Sequence, residues 1–322
     1  HRKNGGTVLI VNNFDRVAAP AWVDLPQYAG FESRRDAGMP YVRDISYVGE
    51  NYEFRRDIPW ESDDAAGFGS TYTDKAGLIV AGNTFDYPAV HGRAILGLGF
   101  PFCSVSAEAF CSDTSLVATY KALDLICGAQ VTTRSGRGAY PDRFQVFPRK
   151  MQEALRFWTE NGGNVLLSGS WIATDVWSSV YDIKPDPDYS APTSAFVMEV
   201  LGYKYAGSNA SAVGRVAGMP FFNTLNPDCY ACPNPDGVMP AGVQGSVWLR
   251  YDDSGTPAGV LYEGASHKAA SLGVPVECLM RSDDRARIFR EAFKFFGLYE
   301  DVPYALARYQ FGFYYYSPAG MS

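Results

Sequence analysis

The chain has 322 residues, of which 47% are hydrophobic and 20% charged, enough apolar material for one large domain or two small ones. The formal net charge is −7 and no basic block tracks along the sequence, which argues against nucleic acid as a partner. No apolar run is long enough to span a membrane, and no cofactor-binding fingerprint is read, so the expectation is no membrane span and no cofactor.

Thr7 to Val11 (TVLIV) reads as a first buried strand, followed by NNFDR. Asp15 and Arg16 would leave its carboxyl end and are candidate substrate-binding residues, Arg16 for a carboxylate or sulfate; the plainer reading is a turn with a surface ion pair. Residues 24–75 mix aromatics, charges, Pro and Gly with no helical period, as expected of an insertion. Asp63 and Asp64 lack the further ligand spacing that calcium needs, so no metal site is read there.

Lys75 to Ala81 (KAGLIVA) predicts a second strand, followed by GNTFDYPAVHG. Asp86 and His91 in that segment form a candidate acid–base couple; equally, Asp86 caps a helix and His91 satisfies a backbone carbonyl. Ser104 to Phe110 predicts the start of a helix, and Tyr120 to Cys127 a strand ending at Gly128, Ala129 and Gln130. Phe147, Met151, Leu155 and Trp158 follow at helical spacing, with Pro148 suited to the first turn and Gly162-Gly163 to the stop.

Asn164 to Val176 (NVLLSGSWIATDV) is the centre of the chain. A short apolar strand turns sharply at Ser168-Gly169-Ser170 into a helix, which places Ser170 where a nucleophile elbow presents its side chain. Ser168 and Ile172 stand where the elbow pattern has glycines, and the plainer reading is a turn and helix cap. Residues 180–262 read as a β-rich insertion. Lys268 to Leu279 predicts the last buried strand, and Asp283 to Phe296 a final helix with Ile288, Phe289, Ala292 and Phe296 on its apolar face. Residues 299–322 form a tail or the lead into another domain of a longer chain. Of six cysteines, Cys127 and Cys278 lie in apolar runs and read as buried thiols. Cys229 with Cys232, and Cys103 with Cys111, are spaced for local disulfides, which would suit an oxidising compartment.

This alternation of strands and helices around an elbow predicts an α/β fold with a doubly wound, mostly parallel sheet spanning residues 1–298. The run FWTENGGNVLLSGSWIATDV, with KAASLGVPVECL before a terminal helix, resembles the flavodoxin-type, class I glutamine amidotransferase-like superfamily. The phrases VNNFDR, PYVRDISYVGENYEF, DDAAGFGS and NTFDYPAVHG resemble large secreted bacterial proteins often labelled xanthan lyases, many with golvesin-type domains. The second resemblance implies a secreted or periplasmic protein and a glycan or cell-wall peptide as partner.

The chain departs from the amidotransferase pattern. Ser170 stands where that superfamily has its elbow Cys, and Pro275 stands where its His precedes Glu277 by two residues. The resemblance therefore implies a degenerate triad and a non-catalytic binding or structural module. The alternative is a hydrolase of an amide or ester: Ser170 as nucleophile, His91 as base, Asp86 or Asp15 orienting it, and the N–H groups of Trp171 and Gly128 as oxyanion hole. Gln130 and Glu277 would then contact substrate from the same edge.

Overall fold

The computed structural model describes residues 7–14, 22–31, 87–132, 145–179, 185–223 and 230–300. Its centre is a seven-stranded sheet. In chain order the strands described are β1 (Thr7–Asn12), β2 (Trp22–Leu25), β3 (Tyr28–Phe31), β4 (Phe102–Ser106), β5 (Tyr120–Gly128), β6 (Asn164–Gly169), β7 (Tyr203–Gly207), β8 (Arg215–Val216), β9 (Met219–Pro220), β10 (Gly237–Pro240), β11 (Gly245–Arg250), β12 (Pro257–Glu263) and β13 (Lys268–Leu272). The helices are α1 (Tyr87–Gly97), α2 (Ala107–Ser112), α3 (Leu116–Thr119), α4 (Arg149–Glu160), α5 (Thr174–Trp177), α6 (Pro187–Phe196) and α7 (Ser282–Phe295).

The sheet order is β11-β12-β13-β6-β5-β1-β4. From β4 to β13 all neighbours are parallel, while β12 and β11 add antiparallel at the far edge. The five parallel strands follow the chain order 2-1-3-4-5, the flavodoxin-like order of a doubly wound α/β sheet. The central strands are buried on both faces, so they read in sequence as continuous apolar runs. One face sets Leu9, Val11, Leu123, Leu125, Val165 and Leu167 against Met151, Leu155 and Trp158 of α4 and the end of α6. The other sets Val8, Ile10, Ala122, Ile126 and Leu166 against α1 and α7 through Ile95, Ile288, Phe289 and Phe293.

Helix α4 forms where the period-3.6 pattern falls, with Pro148 as its N-cap and Met151, Leu155 and Trp158 buried. It ends at Gly162, whose φ of +82° is left-handed. At Gly163 a Cβ would sit 2.3 Å from Trp158 Nε1, so only glycine lets the chain turn under that ring into β6.

Three expectations are corrected. Phe102–Ser106 is a strand, not helix: it forms the sheet edge beside β1, and only at Ala107 does a helix begin, with Ser106 Oγ accepting from Ala109 N at 3.2 Å. The last strand stops at Leu272, because Gly273 and Pro275 break it. Val276–Cys278 is a 3₁₀ turn, so Glu277 stands on a turn past the strand. The local disulfides are absent: Cys103, Cys111 and Cys232 are free thiols, Cys103 exposed and Cys232 buried, while Cys229 lies outside the described residues. Cys127 and Cys278 are buried thiols. The expected strand Lys75–Ala81, the insertion before it beyond Phe31, and the tail from residue 301 also lie outside the described residues.

Among the described residues no helix is long and apolar enough to cross a membrane.

Candidate functional site

In an open parallel sheet the ligand crevice lies at the carboxyl edge, where the strand order reverses. Here that point falls between β1 and β5, with the β6 elbow next to it. Gly128 closes β5 at φ +51°, and its carbonyl accepts from Ser170 N at 2.8 Å, tying the two strand ends together.

The elbow is built, but its serine faces inward. Ser170 is fully buried, and its Oγ donates to Cys232 Sγ at 3.3 Å. Its carbonyl accepts from Asn234 Nδ2 at 2.9 Å. The turn after it is held by the buried carboxylate of Asp236, which accepts from Ala173 N at 2.6 Å, Thr174 N at 2.9 Å, Thr174 Oγ1, and Asn234 Nδ2 at 2.5 Å. Burial pushes the Asp236 carboxyl up to about 7, against the pull of those hydrogen bonds. Burial likewise raises the Cys232 thiol far above its ordinary value, so at neutral pH it is a thiol and a poor nucleophile.

His91 lies elsewhere, beneath the sheet on α1. It is fully buried, with its ring edge-on to Phe289 at 5.5 Å. Nδ1 donates to Asp124 Oδ2 at 2.7 Å and Nε2 to Glu277 Oε2 at 3.0 Å. Burial alone would lower the affinity of the ring for its proton. The Asp124 carboxylate and the hydrogen bonds to Asp124 and Glu277 outweigh that and raise its pKa to about 10. The ring is therefore an imidazolium clamped between two buried carboxylates, joining α1, β5 and the turn after β13. Neither nitrogen is left to take a proton from Ser170.

Of the residues singled out in sequence, the structure brings His91 and Glu277 into contact. Ser170 and Gln130 also stand at the carboxyl edge, Gln130 buried just past β5. Asp15, Arg16 and Asp86 lie outside the described residues. Sequence reasoning missed Asp124, Cys232, Asn234 and Asp236. For Asp124 a signal existed: it is the lone carboxylate inside the apolar run YKALDLIC, and a charge in a strand buried on both faces needs a partner. Another buried carboxylate, Asp175, accepts from Thr132 N at 2.6 Å, Val146 N at 3.1 Å and Tyr189 Oη at 2.9 Å, and so fixes the chain on either side of residues 133–144. Among the described residues no group of three or more His, Cys, Asp or Glu is placed to hold a metal ion.

A groove of about 1260 Å³ opens between α2 and α4 and reaches the switch point. Asn12, Phe14 and Gln130 line its sheet end, with Arg149, Phe157 and Trp158 further along α4. Phe157 is 40% exposed. The groove combines aromatic surface with amide and charged groups, the mixture that sugars and peptides use.

No protein-family profile matches the chain, and no curated protein matches it. Among solved structures, an exo-β-1,4-mannosidase from an Opitutaceae bacterium, strain TAV5, superposes with TM-score 0.40 at 12% identity, over 68% of this chain and 32% of that one. A β-galactosidase from Bacillus circulans sp. alkalophilus gives TM-score 0.40 at 12% identity, over 66% and 27%. A ThuA-like protein from Bacteroides uniformis gives TM-score 0.39 at 10% identity, over 65% and 83%. The chain thus spans 32% and 27% of the lengths of the two glycosidases. Similarities this slight carry nothing about activity, and the fold class rests on the strand order itself: a doubly wound, mostly parallel α/β sheet with flavodoxin-like topology.

Proposed function

We propose that this chain is a non-catalytic binding module with an amidotransferase-like fold, which takes a glycan or a cell-wall peptide in the groove between α2 and α4. The observation that carries the reading is the state of His91. A general base must offer a free ring nitrogen within hydrogen-bond reach of the nucleophile. Both nitrogens of His91 are bound to carboxylates, and the Ser170 hydroxyl is buried against Cys232. These contacts count against the serine-hydrolase alternative, which needs Ser170 and His91 to meet. Placement in a secreted or periplasmic protein, among other domains of a longer chain, is part of the proposal and rests on the sequence resemblance alone.

The test pairs turnover with binding. Wild type and Ser170→Ala are assayed against L-glutamine, p-nitrophenyl acetate and muropeptides, and both are titrated calorimetrically with muropeptide and oligosaccharide fragments. The proposal expects no turnover that Ser170→Ala removes, and saturable binding that Phe157→Ala weakens. Hydrolysis that vanishes in Ser170→Ala with an unchanged melting temperature overturns it.

A further inference from the structure

A second, much smaller cavity lies beside Gly128. It holds about 10 Å³, room for one water-sized group. Tyr87, Gly128, Ala129, Tyr230, Ala231 and Glu277 are its principal walls. Ala129, Tyr230 and Ala231 are half-buried, so the cavity meets solvent on their side.

The two oxygens of Glu277 have different surroundings. Oε2 accepts from His91 at 3.0 Å. Oε1 faces the space a side chain at residue 128 would fill: a Cβ there would stand 3.4 Å from Oε1 and 3.1 Å from Tyr87 Cε2. Gly128 is thus what keeps the cavity open, and the His91 contact fixes the carboxylate that floors it. The walls are rigid, since Tyr87 packs edge-on against both Tyr230 at 4.5 Å and Phe14 at 4.8 Å between ring centroids. Glu277 turns an acid oxygen toward the cavity, so a ligand that offers only acceptors leaves it unpaired, and a quaternary ammonium exceeds the volume and has no N–H to donate. A group with N–H donors, positive charge and a single heavy atom at its tip satisfies the Glu277 oxygen and the aromatic walls together.

We propose that this cavity is a binding site for a primary ammonium group, such as that of an amino sugar, a lysine side chain or a peptide N-terminus, with Glu277 Oε1 as its acceptor. The site stands independently of the groove reading, because it shares neither walls nor acceptor with it.

The probe is methylammonium chloride, titrated at constant ionic strength against sodium chloride while the amide signals of Gly128 and Ala231 are followed by NMR. Methanol tests charge, and tetramethylammonium tests size. Saturable shifts are expected with methylammonium, with binding weaker by about tenfold or more for both controls. Ala231→Leu plugs the mouth without replacing His91, Asp124 or Glu277 and should abolish the shifts while the melting temperature holds. Glu277→Gln should abolish them as well, with circular dichroism to confirm folding. No saturable shift with methylammonium, equal binding of tetramethylammonium, or unchanged binding in Ala231→Leu each overturns the proposal and leaves a cavity for water only.

Discussion

Replacing His91 by Leu removes the cation held between two carboxylates that are almost fully enclosed. Asp124 is 0% exposed and Glu277 5% exposed. In the substituted protein Asp124 Oδ2 and Glu277 Oε2 lose their His91 donor, and Asp124 Oδ1 already has no hydrogen-bond partner. Two routes give the size of the loss. The His91 pKa rises from its ordinary 6.5 to about 10, which at ~1.4 kcal/mol per unit is of order 5 kcal/mol. Breaking a buried ion pair by removing one partner costs about 3–5 kcal/mol. Both are a large share of the ~5–15 kcal/mol by which a domain is stable. Urea denaturation at pH 7 reads the effect: with a slope near ~2 kcal/mol per molar, the midpoint should fall by roughly 2 M. Adding Asp124→Asn and Glu277→Gln to His91→Leu removes the uncompensated charges and should recover most of the loss. A fall under about 1 kcal/mol, the worth of an exposed pair, would refute the clamp.

Two further outcomes follow from the same buried groups. A group whose pKa is raised on folding contributes stability that is complete below its unfolded pKa and lost as pH rises through its folded one. For His91 that window runs from 6.5 to about 10, so unfolding free energy should decline across it, a limb absent from His91→Leu in urea titrations at stepped pH. Asp236→Asn can keep its one acceptor oxygen on the Ala173 and Thr174 N–H groups, which share a single carboxylate oxygen, but it then turns its own NH2 toward the buried Asn234 Nδ2 donor, which loses that acceptor. It should cost about 1–3 kcal/mol in the same assay, and an unchanged midpoint would show that the elbow is not held this way.

The sheet was legible where burial on both faces makes a strand largely apolar, as in TVLIV, NVLL and, apart from Lys121 and Asp124, YKALDLIC. It was not legible at β4, an edge strand whose FCSVS is mostly exposed and carries small polar residues that suit a helix start equally well. The end of β13 was readable in principle: Gly273 and Pro275 are breakers, and they move Glu277 from a strand onto a turn. The site was legible in part. Sequence indicated a sharp turn at Ser170 and a noteworthy His91, but not their partners. Asp124 is 33 residues and Glu277 186 residues from His91, and no local period links them. Likewise the elbow is buttressed by Cys232, Asn234 and Asp236, some 60 residues on, from a loop whose Pro and Asp content reads as surface. Spacing alone suggested a disulfide at Cys232; its burial against Ser170 is a tertiary fact.

The central claim is that His91 is a buried imidazolium held by Asp124 and Glu277, and so unable to serve as a base for Ser170. The most direct measurement is the ¹⁵N NMR titration of the histidine rings from pH 5 to 10. His267, half-buried with Nε2 2.7 Å from the Val200 carbonyl and its pKa lowered by burial, should lose its proton below the ordinary value and serves as internal reference. The account predicts that both ring nitrogens of His91 remain protonated beyond pH 8.5. A neutral His91 ring at pH 7.5 would contradict it and restore the histidine as a candidate base.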